Sequence, residues 1–260
     1  MEAADPATVN GKIQRRHPLP WLDLMATEPF YLLHLLAFFS YFAARSSVSP
    51  DLSHSLLRRE IQAILAFLVL VAVKIVKEET WEAFIANVIL YAKGFLLAVT
   101  LVIDYHLALY YLVGFLVICA VSQQPPYDGF GDANYLTPLQ LESLLTEGTT
   151  TRFWLVEFRA VCSSACIQTS RVFPDLSTIY SNKKISFGIV DLGHFPNVAE
   201  KFGISLWGQL PTYILFDKAT EVTRYPEITS ESKVFLPAIT KKLLCQHFEL
   251  DRRLIQYISS

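Results

Sequence analysis

The chain has 260 residues, of which 52% are apolar and 18% charged, and its formal net charge is -2. That balance suits a membrane protein better than a soluble one, and a near-neutral chain with no long basic run excludes nucleic acid as a partner. The four cysteines, at 119, 162, 166 and 245, are too few and too scattered for a disulfide framework.

The polar, proline-bearing stretch 1–28 is too long for the charged start of a cleavable leader, so an uncleaved anchor is expected. Four apolar stretches follow, over 30–44, 61–76, 83–103 and 107–121. A helix needs roughly 20 apolar residues to cross a ~30 Å hydrocarbon core. Only the third stretch has that length; the others suit a thinner membrane or draw in their flanks. Trp21, Phe30, Tyr31 and Tyr41 border the first stretch, and Tyr105, Tyr110 and Tyr111 the last, as interfacial aromatics do. The expectation is an all-α membrane region over 29–121 with three to four spans. Asp104-Tyr-His106 is the one polar break between the third and fourth stretches, which form either a tight hairpin or one bent element. Lys93 lies mid-segment, where an ionisable group is costly; it is either functional or paired with an acid such as Asp104. With four crossings, Lys12, Arg15, Arg16, Lys74 and Lys77 share a side with the C-terminal half, against Arg45, Arg58 and Arg59 opposite. That small excess puts the C-terminal half in the cytosol; three crossings would separate the termini.

The proline- and glycine-bearing stretch 122–134 reads as a linker. A helix follows from Thr137, which is the N-cap residue with Pro138 in the first turn. Strands are expected over 153–159, 185–192, 212–216 and 221–225, and helices over 165–180, 197–202 and 230–247. This is a mixed α/β domain over 135–250, with 251–260 left as a tail. No His/Cys spacing suits a metal and no glycine-rich loop suits a phosphate, so neither metal nor cofactor is expected.

Val156-Glu-Phe-Arg-Ala160, Cys162-Ser-Ser-Ala-Cys166, Phe187-Gly-Ile-Val-Asp191 and Leu210-Pro-Thr-Tyr-Ile-Leu-Phe216 match the thioredoxin fold in order and spacing. Nearly the whole chain resembles the thioredoxin-related transmembrane proteins, in their atypical second branch. Glu28-Pro-Phe-Tyr-Leu-Leu33, Arg59-Glu-Ile and Gln124-Pro-Pro-Tyr127 match as well. That branch replaces the first active-site cysteine by serine, keeping Trp-Ser-x-x-Cys. Here Cys162 stands where the tryptophan would be, Ser163 takes the place of the attacking cysteine, and Cys166 matches the resolving one. Dithiol exchange needs a thiolate to attack and a second thiol to resolve the mixed disulfide, and a serine hydroxyl cannot attack at neutral pH.

The resemblance implies roles for four further features. Glu157 matches the buried acid that takes the resolving thiol's proton, or persists as a vestigial carboxyl with a raised pKa. Pro211 matches the cis-proline facing the site, and Leu210 before it offers backbone groups to an extended peptide. Ser163 reads as a helix N-cap, and Cys166 as either a working or an inert buried thiol. Cys162 and Cys166 could also form a Cys-x-x-x-Cys bridge.

The expected function is a membrane-anchored, thioredoxin-like client-binding or redox-sensing regulatory factor without dithiol turnover. The resemblance implies residence in the endoplasmic reticulum membrane, including its contacts with mitochondria, with protein clients and a homodimer as partners. The alternatives are a weak oxidoreductase using Cys162 and Cys166, or a structural membrane subunit.

Overall fold

A computed structural model describes residues 27–46, 50–127, 129–146, 152–206, 210–217, 220–227 and 238–259. The first half is helical: α1 Pro29–Ser46, α2 Pro50–Lys77, α3 Trp81–Ile103 and α4 Tyr105–Val121. α3 packs on α2 and α4, and α1 lies against α4. Among the described residues α3 is the one helix with the length and apolarity to cross a membrane. Only 6% of its apolar window is buried, so protein packing does not cover this surface.

Asp104 decides between hairpin and bent element. It is extended (φ -160°, ψ 133°), and its carboxylate accepts the His106 N–H at 3.1 Å, ending α3 and capping α4. The expected Lys93–Asp104 pair does not form, because eleven residues along a helix is about 16 Å. The Lys93 ammonium instead lies 5.6 Å from the centroid of the Phe115 ring.

The second half builds a five-stranded sheet from β1 Ala133–Tyr135, β2 Phe153–Arg159, β3 Ile185–Asp191, β4 Thr212–Asp217 and β5 Thr220–Tyr225. The order is β1-β3-β2-β4-β5, with β1, β3 and β2 parallel and β4 and β5 antiparallel. The helices are α5 Pro138–Thr146, α6 Ser164–Thr169, α7 Val172–Tyr180, α8 Pro196–Lys201, α9 Lys241–His247 and α10 Leu250–Ile258. This strand order with helices on both faces is the thioredoxin arrangement that the resemblance implies.

Strand alternation sorts the core. Trp154, Val156 and Phe158 face one cluster with Leu141, Val190 and Ile214. Leu155 faces the other, with Phe173, Phe187, Ile189, Tyr213 and Leu244. Glu157 and Arg159 share the parity of Leu155, and both are buried. β2 is covered on both sides, which explains its near-continuous apolar run.

Local signals explain most of the elements. Thr137 Oγ1 accepts from Gln140 N at 3.3 Å while Gln140 Oε1 accepts from Thr137 N at 2.9 Å, a reciprocal capping box that starts α5. The single helix expected over 165–180 is two, α6 and α7. Pro174 has no N–H for the Ser170 carbonyl and its ring crowds that oxygen, so the ladder breaks there. β1 uses the end of the expected linker: three residues carry too little pattern to announce a strand, and pairing with β3 supplies the order. The expected tail is largely α10, anchored by fully buried Leu250. Of the closing helix expected over 230–247, residues 241–247 are helical as α9, and 228–237 lie outside the described residues.

Candidate functional site

The site lies where β2 ends and α6 begins. Ser163 N donates to Ala160 O at 3.0 Å, closing the turn between them. Cys162 sits exposed in this turn. Ser163 occupies the N-cap position of α6 (φ -87°, ψ 119°), but its side chain makes no capping hydrogen bond. The hydroxyl bonds the Cys166 thiol instead, so position and role part company.

Cys166 is 2% exposed, and all four cysteines are free. Burial pushes its thiol above the usual range, only partly offset by hydrogen bonds from the Ala160 backbone and the Ser163 hydroxyl. Such a thiol is a weak nucleophile at neutral pH.

Beneath it, Glu157 is fully buried. Desolvation pushes its carboxyl from the ordinary 4.5 up to about 7, against the opposing effects of the Arg159 charge and the Tyr213 hydroxyl. Tyr213 OH donates to Glu157 Oε1 at 3.2 Å, and Glu157 Oε2 has no hydrogen-bond partner. Tyr213 itself is held well above the usual phenol range, first by burial and then by the Glu157 charge. Arg159 turns away: its Nη2 donates to Tyr135 OH at 2.6 Å, and its guanidinium lies 5.3 Å from that ring's centroid. Sequence reasoning missed Tyr213. Its signal is a phenol two residues after Pro211, followed by the apolar run 214–216, and the register places it directly opposite Glu157.

The Leu210–Pro211 peptide is cis, and Pro211 is buried. Leu210 and Pro211 line a cavity of about 320 Å³ together with Ala165, Gln168 and Ile239. The opposite wall comes from the first half of the chain. Lys77, Glu78, Glu79 and Thr80, the turn between α2 and α3, complete it.

That turn is fastened to the C-terminal unit by specific bonds. Thr80 Oγ1 caps α3 by accepting from Ala83 N at 3.3 Å and also donates to Gln168 O at 2.9 Å. Glu79 Oε2 accepts from Lys241 N at 3.0 Å, placing a carboxylate on the N-terminus of α9. The linker adds three more: Gln124 Nε2 to Glu82 O at 2.9 Å, Tyr127 N to Ser170 Oγ at 2.9 Å and Asp132 N to Ser177 Oγ at 2.8 Å. The sequence offered no sign of this docking, because each bond joins residues at least 42 positions apart.

His194 pairs with Asp191 Oδ2 at 2.8 Å on an exposed loop, away from the cavity lining. Trp207 lies outside the described residues. No cluster of metal-binding side chains occurs among the described residues.

Fold and site together define a thioredoxin-fold protein with Ser163 and the buried Cys166 at the start of α6, the buried acid Glu157 and a cis-proline at 211, joined to a group of apolar helices. No family model matches the chain. It is 29% identical over 239 residues to the thioredoxin-related transmembrane protein 2 homolog of Drosophila melanogaster, covering 83% of this chain and 86% of that one. Thioredoxin-related transmembrane protein 2 of Xenopus tropicalis is 26% identical, covering 90% and 86%, and the 2-A protein of Danio rerio is 26% identical, covering 96% and 87%. Among solved structures, Malassezia sympodialis thioredoxin covers 50% of this chain at 17% identity with a TM-score of 0.36. Nicotiana alata thioredoxin covers 49% at 18% identity, also with a TM-score of 0.36. Over most of its length, then, the chain is similar to proteins named thioredoxin-related transmembrane protein 2, at 26–29% identity.

Proposed function

We propose that this chain is a membrane-anchored, thioredoxin-like client-binding or redox-sensing regulatory factor that does not turn over dithiols. Its helices α1 to α4 embed in the endoplasmic reticulum membrane, and its thioredoxin-like unit faces the cytosol. The observation that carries the reading is the pairing of Ser163 at the attacking position with a 2% exposed Cys166. One reaction partner is absent, and the other is a shielded thiol with a raised pKa. What remains is the cavity beside Leu210 and Pro211, whose lining of apolar residues with Lys77, Glu78, Glu79 and Gln168 suits a protein segment carrying both apolar and polar groups.

Thiol labelling with mass readout on the full chain tests this, with and without reductant, for wild type, Cys162→Ser and Cys166→Ser. Two unlinked thiols, with Cys162 reactive and Cys166 slow, are the expected result. A reversible Cys162–Cys166 bridge at cellular redox poise would refute the reading and establish an oxidoreductase. Protease protection of sealed microsomes checks orientation: cytosolic placement leaves the C-terminal unit digestible without detergent.

A further inference from the structure

The cavity beside Pro211 takes its walls from two distant parts of the chain. Leu210, Pro211 and Ile239 line one side, and Glu79, Thr80 and Ala83 the other. Residues 78–80 are the whole connection between α2, which ends at Lys77, and α3, which begins at Trp81. A shift of this turn therefore moves an end of each helix. α3 also packs on α6, the helix that carries Cys166.

On the cavity side, the junction rests on two hydrogen bonds from the turn. Thr80 Oγ1 donates to Gln168 O at 2.9 Å, and Glu79 Oε2 accepts from Lys241 N at 3.0 Å. Each contributes little net stability, because its groups bond water when the walls part. The linker bonds from Gln124, Tyr127 and Asp132 join residues outside the lining, so they tether the halves without closing the cavity. The cavity itself is about 320 Å³, and its lining atoms forgo the dispersion contacts of a filled interior. An occupant that touches both walls restores those contacts. The volume is at the small end of ligand cavities, which run to roughly 300–1,000 Å³, so it admits a side chain or two of a client.

We infer that a client segment seated here clamps the thioredoxin-like unit to the α2–α3 turn, so that occupancy of the cavity is transmitted to α2 and α3. The inference rests on the reading of this cavity as the client site and adds its coupling to the helical half. A ligand shifts an equilibrium by its differential affinity for the two states. A client in contact with both walls loses one of them when the turn moves away, and so binds the closed arrangement more tightly. By linkage the effect is reciprocal: the closed junction holds the client, and the held client keeps the junction closed.

The test is hydrogen exchange with mass readout on the full chain in lipid nanodiscs. The probe is reduced, carboxymethylated α-lactalbumin, a chain that stays unfolded, and its binding is measured in parallel. With the probe at ten times its Kd, exchange should slow about tenfold in the peptide containing Lys241 and in the first turn of α3. That factor follows because a ligand of the closed state alone lowers opening by 1 + [L]/Kd. Ala83→Leu, which fills the cavity from α3, should abolish probe binding and the slowing together; Ala238→Leu, which fills it from the other wall, replaces it should the first fail to fold. Unchanged or faster exchange on probe binding would overturn the inference, and so would slowing that persists in the filled variants. Loss of binding in the filled variants without any slowing in wild type leaves the client site standing and refutes the coupling alone. Binding that the filled variants leave intact, or no binding by wild type, refutes both.

Discussion

Glu157 gives the sharpest quantitative test of the site. Its carboxyl is fully buried and its pKa is raised from 4.5 to about 7, chiefly by desolvation. The folded state therefore holds the proton more tightly than the unfolded chain. The stability this confers is fully present below pH 4.5, shrinks as pH rises through the interval, and is lost above about 7. At about 1.36 kcal/mol for each tenfold ratio of proton affinity, the interval is worth about 3 kcal/mol, a large share of the 5–15 kcal/mol by which domains are typically stable. Glu157→Gln keeps the volume and an oxygen to accept from Tyr213, and removes the titration. Urea unfolding of the full chain in detergent micelles, read by pulse proteolysis of the C-terminal unit, should show wild type losing about 3 kcal/mol between pH 4.5 and pH 8 more than the variant does. At pH 8 the variant should be the more stable. An equal loss in both proteins would refute the reasoning and place the carboxyl in contact with water.

The remaining predictions concern thiols, docking and close packing. In the full chain at pH 7.5, N-ethylmaleimide should modify Cys162 at least about tenfold faster than Cys166, and raising the pH should accelerate Cys166 only above the ordinary thiol range, as peptide mass mapping would show. Thr80→Ala removes both the α3 cap and the bond to Gln168 O, at a cost of about 1–2 kcal/mol. Hydrogen exchange should quicken in the first turn of α3 and in α6 together; quickening in α3 alone would refute the docking. Gly131→Ala would bring a Cβ to 2.7 Å from Pro174 Cβ and 3.0 Å from its Cα, neither of which can rotate away. A cost of about 1–3 kcal/mol is expected by urea unfolding, and a smaller one for Gly188→Ala, whose nearest contact is the end of the Leu136 side chain at 2.5 Å.

Much of this protein was legible in order along the chain. The β2 run Phe153–Arg159, the capped start of α5 and the apolar stretches of α1 to α4 depend on neighbours within a few residues, and periodicity and capping read such neighbours directly. The serine at 163 and the thiol at 166 were equally plain, since residue identity needs no fold to be read. Elsewhere the pattern was too short or the deciding partner too distant. β1 exists because β3 offers it an edge, and the α6–α7 break required weighing Pro174 against a carbonyl one turn back.

What the sequence determined by itself, then, is the chemistry available: the serine at 163, the cysteine at 166, the acid at 157 within a largely apolar strand, and apolar stretches ahead of them. Only the tertiary structure decided how that chemistry is set. It turned the Ser163 hydroxyl to Cys166 rather than to the helix end, placed Tyr213 against Glu157, and laid the turn before α3 along the cavity that Pro211 lines. Desolvation, and the meeting of hydrogen-bonding groups at least 42 positions apart, depend on what packs around each group after the chain has closed.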